Sequence, residues 1–400
     1  MLTVEQALKR LLAGARPLVE VERVAALDAE SALGRVLAQP IVAAIDVPPM
    51  DNSQMDGYAL RAADAASVPA TLKVAQRIAA GHVGQELAPG TAARIFTGAP
   101  VPPGADAVVM QEATVAHGDR VTINEAPAPG QWIRRKGIDV RAGATILAAG
   151  RLLRPQDLGL AASVGVAELD VRRRLRVAVF FTGDELVMPG DPLPPGRIYN
   201  SNRFVLRALL RALGCEVNDL GIVPDDRAAT RAAFVRAAQD ADLIITSGGV
   251  SVGEEDHVKP AVEAEGALDL WQIAMKPGKP LAFGHVRGVP FIGLPGNPVS
   301  SFVTFLLFAR PFIRARQGAS ELAPRALALR ADFDLPRPDR RREFLRARFN
   351  DAGGLEPFAN QNSAVLTSCV WADGLIDNPP AQPIARGDMV RFLPFSELVG

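Results

Sequence analysis

The sequence predicts a multidomain α/β plus β chain, in which a central α/β unit with a mostly parallel sheet is flanked by β-rich segments. Three observations predict it. Between residues 175 and 246, apolar runs alternate with amphipathic helical segments. Between about 70 and 148, short β-type runs are separated by Pro/Gly turns, and after about 321 the β pattern returns. Alternating strands and helices give a parallel sheet with ligands at its carboxyl ends. Regular short strands imply a barrel or sandwich.

Residues 3–15 read as an amphipathic helix, with Thr3 and Gln6 in capping-box spacing ahead of it. Residues 27–37 read as a second short helical piece. Residues 44–59 combine Pro, Asp, Asn and Gly, the composition of a specific loop. Asp56 before Gly57 is there either an Asx-turn residue or a carboxylate presented on a loop. Strands are expected at 71–74, 93–97, 107–111 and 120–123. Residues 131–140 read as a strand pair around the basic turn Arg134, Arg135 and Lys136. A helix at 155–165 and a short strand precede Arg172, Arg173 and Arg174, which mark a boundary.

The α/β pattern begins with a strand at 175–181 that ends in TGDEL, where Glu185 stands. A helix at 202–213 is stopped by Gly214. A strand at 215–222 ends in Pro224-Asp225-Asp226. A helix at 227–239 leads to a strand at 242–246. Three sequence-distant loops are therefore expected to converge on one crevice. Beyond 321, strands are expected at 326–329, 341–349, 364–367 and 388–393. Arg340, Arg341, Arg342, Arg346 and Arg348 read as the coat of an exposed strand.

Bulk properties exclude several classes. The 400 residues are 48% hydrophobic and 22% charged, as in ordinary globular proteins. Lys plus Arg equals Asp plus Glu at 44 each, which argues against a whole-chain nucleic-acid binder. Cys215 and Cys369 form no CxxC, and the four histidines have no ligand spacing. A disulfide framework and a zinc site are not expected. The N-terminus lacks the features of a signal peptide, and apolar runs are short of a membrane span. A cytoplasmic protein without membrane or nucleic-acid partners is expected.

The chemistry concentrates in 242–300. Ser247, Gly248, Gly249, Ser251 and Gly253 follow a strand and carry almost no side-chain bulk, which lets backbone N–H groups approach a ligand. Glu254, Glu255 and Asp256 follow. They suit either the first turn of a helix or a Mg²⁺ ion beside ligand phosphates. Lys276 and Lys279 stand on the proline-stiffened turn MKPGKP. In LPGNPVS, Asn297 is an N-cap and Pro298 an N1 residue, so open N–H groups are expected there for an anion. Together these features indicate a phosphorylated or oxyanionic ligand.

DNSQMDGYA, RIFTGAPVP, FTGDEL, TSGGVSVGEED, MKPGKP and GLPGNPVS, in this order, resemble the MoeA family of molybdopterin molybdenumtransferases, which is related to the gephyrin E domain. The resemblance runs from about residue 3 to the C-terminus. It implies an elongated N-terminal domain formed by 1–45 and 140–172, an inserted β-rich domain at 46–139, an α/β domain at 173–320 and a β-barrel-like C-terminal domain at 321–400. It also implies transfer of molybdenum from molybdate into adenylylated molybdopterin, with Mg²⁺ and release of AMP. The implied assembly is a homodimer whose active site is shared between subunits. The molybdopterin-adenylylating enzyme and molybdoenzyme maturation proteins are implied partners. Matching positions assign catalytic roles to Asp56, Thr97, Asp139, Glu185, Lys276 and Lys279. Metal binding falls on Asp225 and Asp256. Pro295, Gly296, Asn297 and Pro298 shape the ligand loop. Lys276, Lys279, Arg346 and Ser363 match molybdate-holding positions, although NQNSAVLTS also offers Ser368. Gln272 stands where the family often has a basic residue.

Three rival readings attach to the same residues. Gly249 to Gly253 fits the G-x-S-x-G of a hydrolase, with Ser251 as nucleophile and His257 or His285 as base. An adenylylating relative would share the α/β domain but lack the MDGYA loop. A scaffold protein would keep the fold without the catalysis.

Overall fold

The computed structural model describes residues 1–26, 28–249 and 257–399. The α/β unit holds a six-stranded sheet. Its strands run in the order Glu216–Val223, Arg176–Thr182, Leu243–Ser247, Val289–Leu294, Pro280–Val286, Gly266–Gln272. The first four are parallel. The last two are antiparallel additions at one edge, joined to the parallel set through a turn at Arg287 and Gly288, both at positive φ. The sheet expected from the alternation is thus mostly parallel, with this edge outside the expectation.

Both faces of the sheet are apolar because both are covered. Val177, Val179 and Phe181 belong to one core, with Leu206, Leu210, Val303 and Phe312 from the helices on that side. Ala178 and Phe180 belong to the other, with Phe234 and Val262. Phe234 meets the edges of Phe180 and Phe291 at 4.9 and 5.0 Å between ring centres. The helix Val4–Ala13 carries the Thr3/Gln6 capping box. It packs Val4, Ala7 and Leu11 into the first of these cores.

A separate core unites residues 26–43 with 140–171, including Leu37, Ile41, Val140, Leu153 and Val171. Of the helix expected at 27–37, only Ala29–Ala32 forms among the described residues, capped by Asp28. Gly34 stops it at φ 72°. Between the two halves of this core, the chain leaves to build another six-stranded sheet. Its order is Ala107–Met110, Gly57–Leu60, Thr91–Ile95, Ala70–Ile78, Arg120–Ile123, Thr114–His117. Gly57–Leu60, expected as loop, is an interior strand with all four residues buried. Glycine is required at its head, because a Cβ on Gly57 would lie 1.9 Å from the Val109 carbonyl oxygen.

Residues 131–140 do not pair with themselves as expected. Ile133–Arg134 pairs with Asn52–Ser53, and Val140 bridges Val47. The basic turn also meets acids on that side: Arg135 pairs with Asp51 at 2.7 Å and Lys136 with Asp46 at 3.3 Å.

The C-terminal sheet runs Met275–Lys276, Arg342–Phe349, Gly374–Asn378, Met389–Pro394, Leu327–Arg330. Residues 364–367, expected as strand, instead lead into the short helix Thr367–Trp371. The neighbouring strand is Gly374–Asn378. Met275–Lys276 joins this sheet through parallel pairing with Arg342 and Glu343, so the lysine turn is held between the α/β unit and the C-terminal sheet.

Candidate functional site

A cavity of about 1150 Å³ opens where the parallel strands end. Glu185, Asp225, Ser247, Gly248 and Gly249 line it, so the three loops expected to converge do converge. Lys276, Lys279, Pro295, Gly296, Asn297 and Pro298 complete the α/β side, and Arg341, Gln361, Asn362 and Ser363 form the wall from the C-terminal sheet.

The two aspartates after Val223 divide their roles. Asp226 caps the helix Arg227–Asp240, accepting from the amides of Ala228 and Ala229 at 2.8 and 3.0 Å. Asp225 is left on the cavity wall, and its own amide donates to Asp184 at 3.3 Å.

The glycine loop is shaped by close approach. Gly248 has φ 96°, and a Cβ there would sit 2.7 Å from the Thr182 carbonyl oxygen. Ser247, expected to face the ligand, spends its hydroxyl inside the protein. It donates to the Pro295 carbonyl at 3.0 Å and accepts from Asn202 Nδ2 at 2.9 Å. Asn202 also donates to the Gly296 carbonyl at 2.7 Å. Asn202 therefore ties the two ligand loops together, a role that its place at the start of a helix did not signal. Two buried polar atoms on the cavity residues, Thr182 Oγ1 and Asn200 Nδ2, have no hydrogen-bond partner among the described residues. Unpaired buried groups of this kind are costly unless a ligand or water takes them.

The helix Pro298–Thr304 begins as expected, with Asn297 at its N-cap and Pro298 at N1. Its N-terminus is less open than expected. The Val299 amide donates to the Ser363 carbonyl at 3.0 Å, while the Ser301 amide makes the ordinary first helical bond to the Asn297 carbonyl at 2.8 Å. Pro298 has no amide hydrogen to offer. The C-terminal region thus takes a donor that the sequence suggested for an anion.

The cations differ in their settings. Lys279 is exposed and lines the cavity with no ion-pair partner among the described residues. Lys276 lies 3.1 Å from Glu343 and 3.7 Å from Asp339. Arg346 is not strand coating: it is 1% exposed. Its guanidinium donates to Ser368 Oγ at 3.1 Å, to the Phe344 carbonyl at 3.3 Å and to the Asn362 carbonyl at 3.4 Å. Arg346 stands behind the wall that Asn362 and Ser363 form. Of the two candidate serines, Ser363 lines the cavity, whereas Ser368 is fully buried against Arg346.

Asp56, Thr97 and Asp139 do not line this cavity. Asp56 accepts from both the amide and the hydroxyl of Thr97 at 2.8 Å. These two bonds, with nearby Arg94, hold its carboxyl below the usual carboxylate range. Asp139 is exposed and donates its amide to the Val47 carbonyl at 3.0 Å. Ser251, Gly253 and Asp256 lie outside the described residues. No histidine lines the cavity among the described residues, and His285 lines a different groove. The base that a hydrolase reading needs is not supplied from His285.

Fold and site together define a multidomain α/β protein with a cationic and acidic ligand cleft at the carboxyl ends of its sheet. Residues 2–165 match the MoeA N-terminal region, 178–315 a probable molybdopterin-binding domain, and 328–395 the MoeA C-terminal region. The molybdopterin molybdenumtransferase of Haemophilus influenzae is 41% identical over the full length of both chains. Molybdopterin molybdenumtransferase 2 of Mycobacterium tuberculosis is 43% identical, covering 87% of this chain and 89% of its own. The solved structure of the molybdopterin biosynthesis moeA protein of Pyrococcus horikoshii superposes with a TM-score of 0.85 at 29% identity, covering 98% of this chain and 100% of its own. The chain belongs to the MoeA family, whose curated members here are named as transferases.

Proposed function

We propose that this protein transfers molybdenum from molybdate into adenylylated molybdopterin, releasing AMP and forming molybdenum cofactor. The observation that carries the reading is the convergence of Asp225, Lys276, Lys279 and Ser363 on one cavity. A tetrahedral dianion suits charge-assisted donors on rigid turns, which Lys276 and Lys279 supply, with the Ser363 hydroxyl as a further donor. The glycine loop 247–249 brings backbone against a phosphate-bearing ligand. Glu185 on the same wall is a carboxylate available for proton transfer.

Mg²⁺ fits the donor chemistry. It takes one or two carboxylates together with substrate phosphate oxygens rather than a full protein cage. Asp225 lines the cavity beside the glycine loop. Asp225 and Asp256 are the residues proposed to hold it. Held there, Mg²⁺ would supply charge withdrawal from phosphate oxygens.

No described residue of 46–139 lines the cavity, which favours a homodimer in which Asp56, Thr97 and Asp139 serve the partner's cleft. The domain limits 1–45 with 140–172, 46–139, 173–320 and 321–400, a cytoplasmic location, and handover from an adenylylating enzyme and to molybdoenzyme maturation proteins belong to the same proposal. No described helix is long and apolar enough to cross a membrane. The test is incubation with adenylylated molybdopterin, Mg²⁺ and molybdate. AMP release together with cofactor formation is expected. AMP release that proceeds equally without molybdate, with no cofactor formed, would refute the assignment.

A further inference from the structure

Behind the cavity wall, two carboxylates join two cations into one chain of contacts. Glu343 is 4% exposed. One of its oxygens accepts from Lys276 Nζ at 3.1 Å and the other from the Asp339 amide at 2.9 Å. Strand pairing sets this geometry, because Lys276 stands directly beside Glu343 in the parallel register. Asp339 in turn holds Arg341 by a two-pronged bond, Nε to Oδ1 at 3.0 Å and Nη2 to Oδ2 at 2.9 Å, and also accepts from the Arg341 amide at 2.9 Å. Lys276 and Arg341 both line the cavity, whereas Asp339 and Glu343 do not.

The neighbouring arginine shows the contrast. Arg342 is bound on the other side of the strand by Asp377 at 2.5 and 2.6 Å and by Glu5. Arg341 keeps Nη1 without a hydrogen-bond partner among the described residues, on a residue that faces the cavity. A guanidinium whose other two nitrogens are pinned is pre-organised, so little rotamer freedom remains to be lost on binding. The Arg341 bonds also hold the Asp339 carboxyl well below the usual carboxylate range, against its partial burial, so the anchor stays ionised.

We infer that Arg341 is a further oxyanion-binding residue of the cleft, paired with Lys276 into a clamp, and that Asp339 and Glu343 are the positioning residues that set the two cations. The ligand class is a tetrahedral oxyanion, either free molybdate or a phosphate of the nucleotide. The inference deepens the proposed function and rests on its reading of the cavity as an anion site. Arg341 is a cation of the wall beyond Lys276, Lys279 and the Ser363 hydroxyl.

The test titrates the intact protein with sodium molybdate in one arm and AMP in the other, by calorimetry, alongside thermal unfolding. Arg341→Ala is expected to weaken one of the two ligands about tenfold or more. Arg341→Lys keeps the charge but loses the fork and is expected to restore only part of it. Asp339→Asn is expected to weaken the same ligand with the Arg341 charge intact. Exposed Arg340, outside the cavity wall, serves as control, and Arg340→Ala is expected to bind normally. A loss confined to molybdate supports the clamp and the metal-transfer reading together. A loss confined to AMP supports the clamp as a phosphate site and removes molybdate from it. Unchanged affinity for both ligands in folded Arg341→Ala, or no binding of either by the wild type, overturns the inference. If Arg341→Ala does not fold, Arg341→Gln and Arg341→Lys give the same comparison.

Discussion

The Val299 amide donates to the Ser363 carbonyl at 3.0 Å, so a loop of the C-terminal region closes the N-terminus of an α/β helix. The contact uses Ser363 backbone and leaves its hydroxyl to the cavity. Ser363→Ala is therefore expected to keep stability within about 0.5 kcal/mol. Molybdate affinity is expected to fall about tenfold or more, the worth of roughly one hydrogen bond to a charged group. Chemical unfolding and a molybdate titration check the two halves separately.

Arg346 is expected to behave differently from Ser363. Its guanidinium is buried and holds Ser368 and the Phe344 and Asn362 carbonyls. Arg346→Ala strands these acceptors and leaves a void, so a stability loss of roughly 2–4 kcal/mol is expected. Oxyanion binding should fall with it, because the 361–363 wall loses its support. Combined with Ser363→Ala, the affinity losses are expected not to add, since both act through one loop. Additive losses in the double variant would place Arg346 on the ligand directly.

Asn202 bridges Ser247 and the Gly296 carbonyl. Asn202→Ala breaks both bonds and is expected to cost about 1–3 kcal/mol in urea unfolding. AMP binding is expected to weaken as well, because the two ligand loops lose their tie. Asn202→Asp sets a carboxylate against a carbonyl oxygen and should bind AMP no better than the alanine variant.

Arg330 grips Asp332 at 2.8 and 3.1 Å, and Asn350 adds a bond at 2.7 Å. These bonds, Arg330 first, lower the Asp332 carboxyl to about 2. A depressed folded value means that the stabilisation is fully present above the ordinary aspartate value of about 3.9 and is lost as pH falls toward 2. Thermal midpoints of the wild type should fall more steeply between pH 4 and 2 than those of Asp332→Asn. Equal slopes in that window would show that this pair does not govern the acid limb.

The proposed homodimer with a shared site has its own test. Asp56→Ala and Lys276→Ala homodimers are both expected to be inactive. Subunit exchange gives about half heterodimers, each with one intact cleft, so roughly a quarter of wild-type activity should return. No recovery after verified exchange would confine Asp56 to its own chain.

Much of this organisation is legible in the residues. The strand ends before TGDEL, PDD and TSGG are visible from periodicity, and a parallel sheet brings such ends together whatever else the chain does. What escaped is what depends on partners distant in sequence. Gly57–Leu60 looks like loop because Asp, Asn and Gly surround it, yet two flanking strands bury it. Residues 131–140 look like a hairpin because nothing local shows that Asn52–Ser53 and Val47 take their backbone partners. The arginines from 340 to 348 look alike as a row. Only the sheet assigns Arg341 to the cavity, Arg342 to Asp377 and Arg346 to the interior.

The bridge between Val47 and Val140 has one more consequence. The Val47 amide donates to the Val140 carbonyl at 2.7 Å, and the Val140 amide returns a bond to Val47 at 3.2 Å. The chain therefore enters and leaves the intervening sheet at a single doorway, and the sheet hangs from its host as a cassette. Taking the segment out of the chain would leave two ends that already lie side by side as hydrogen-bonded neighbours.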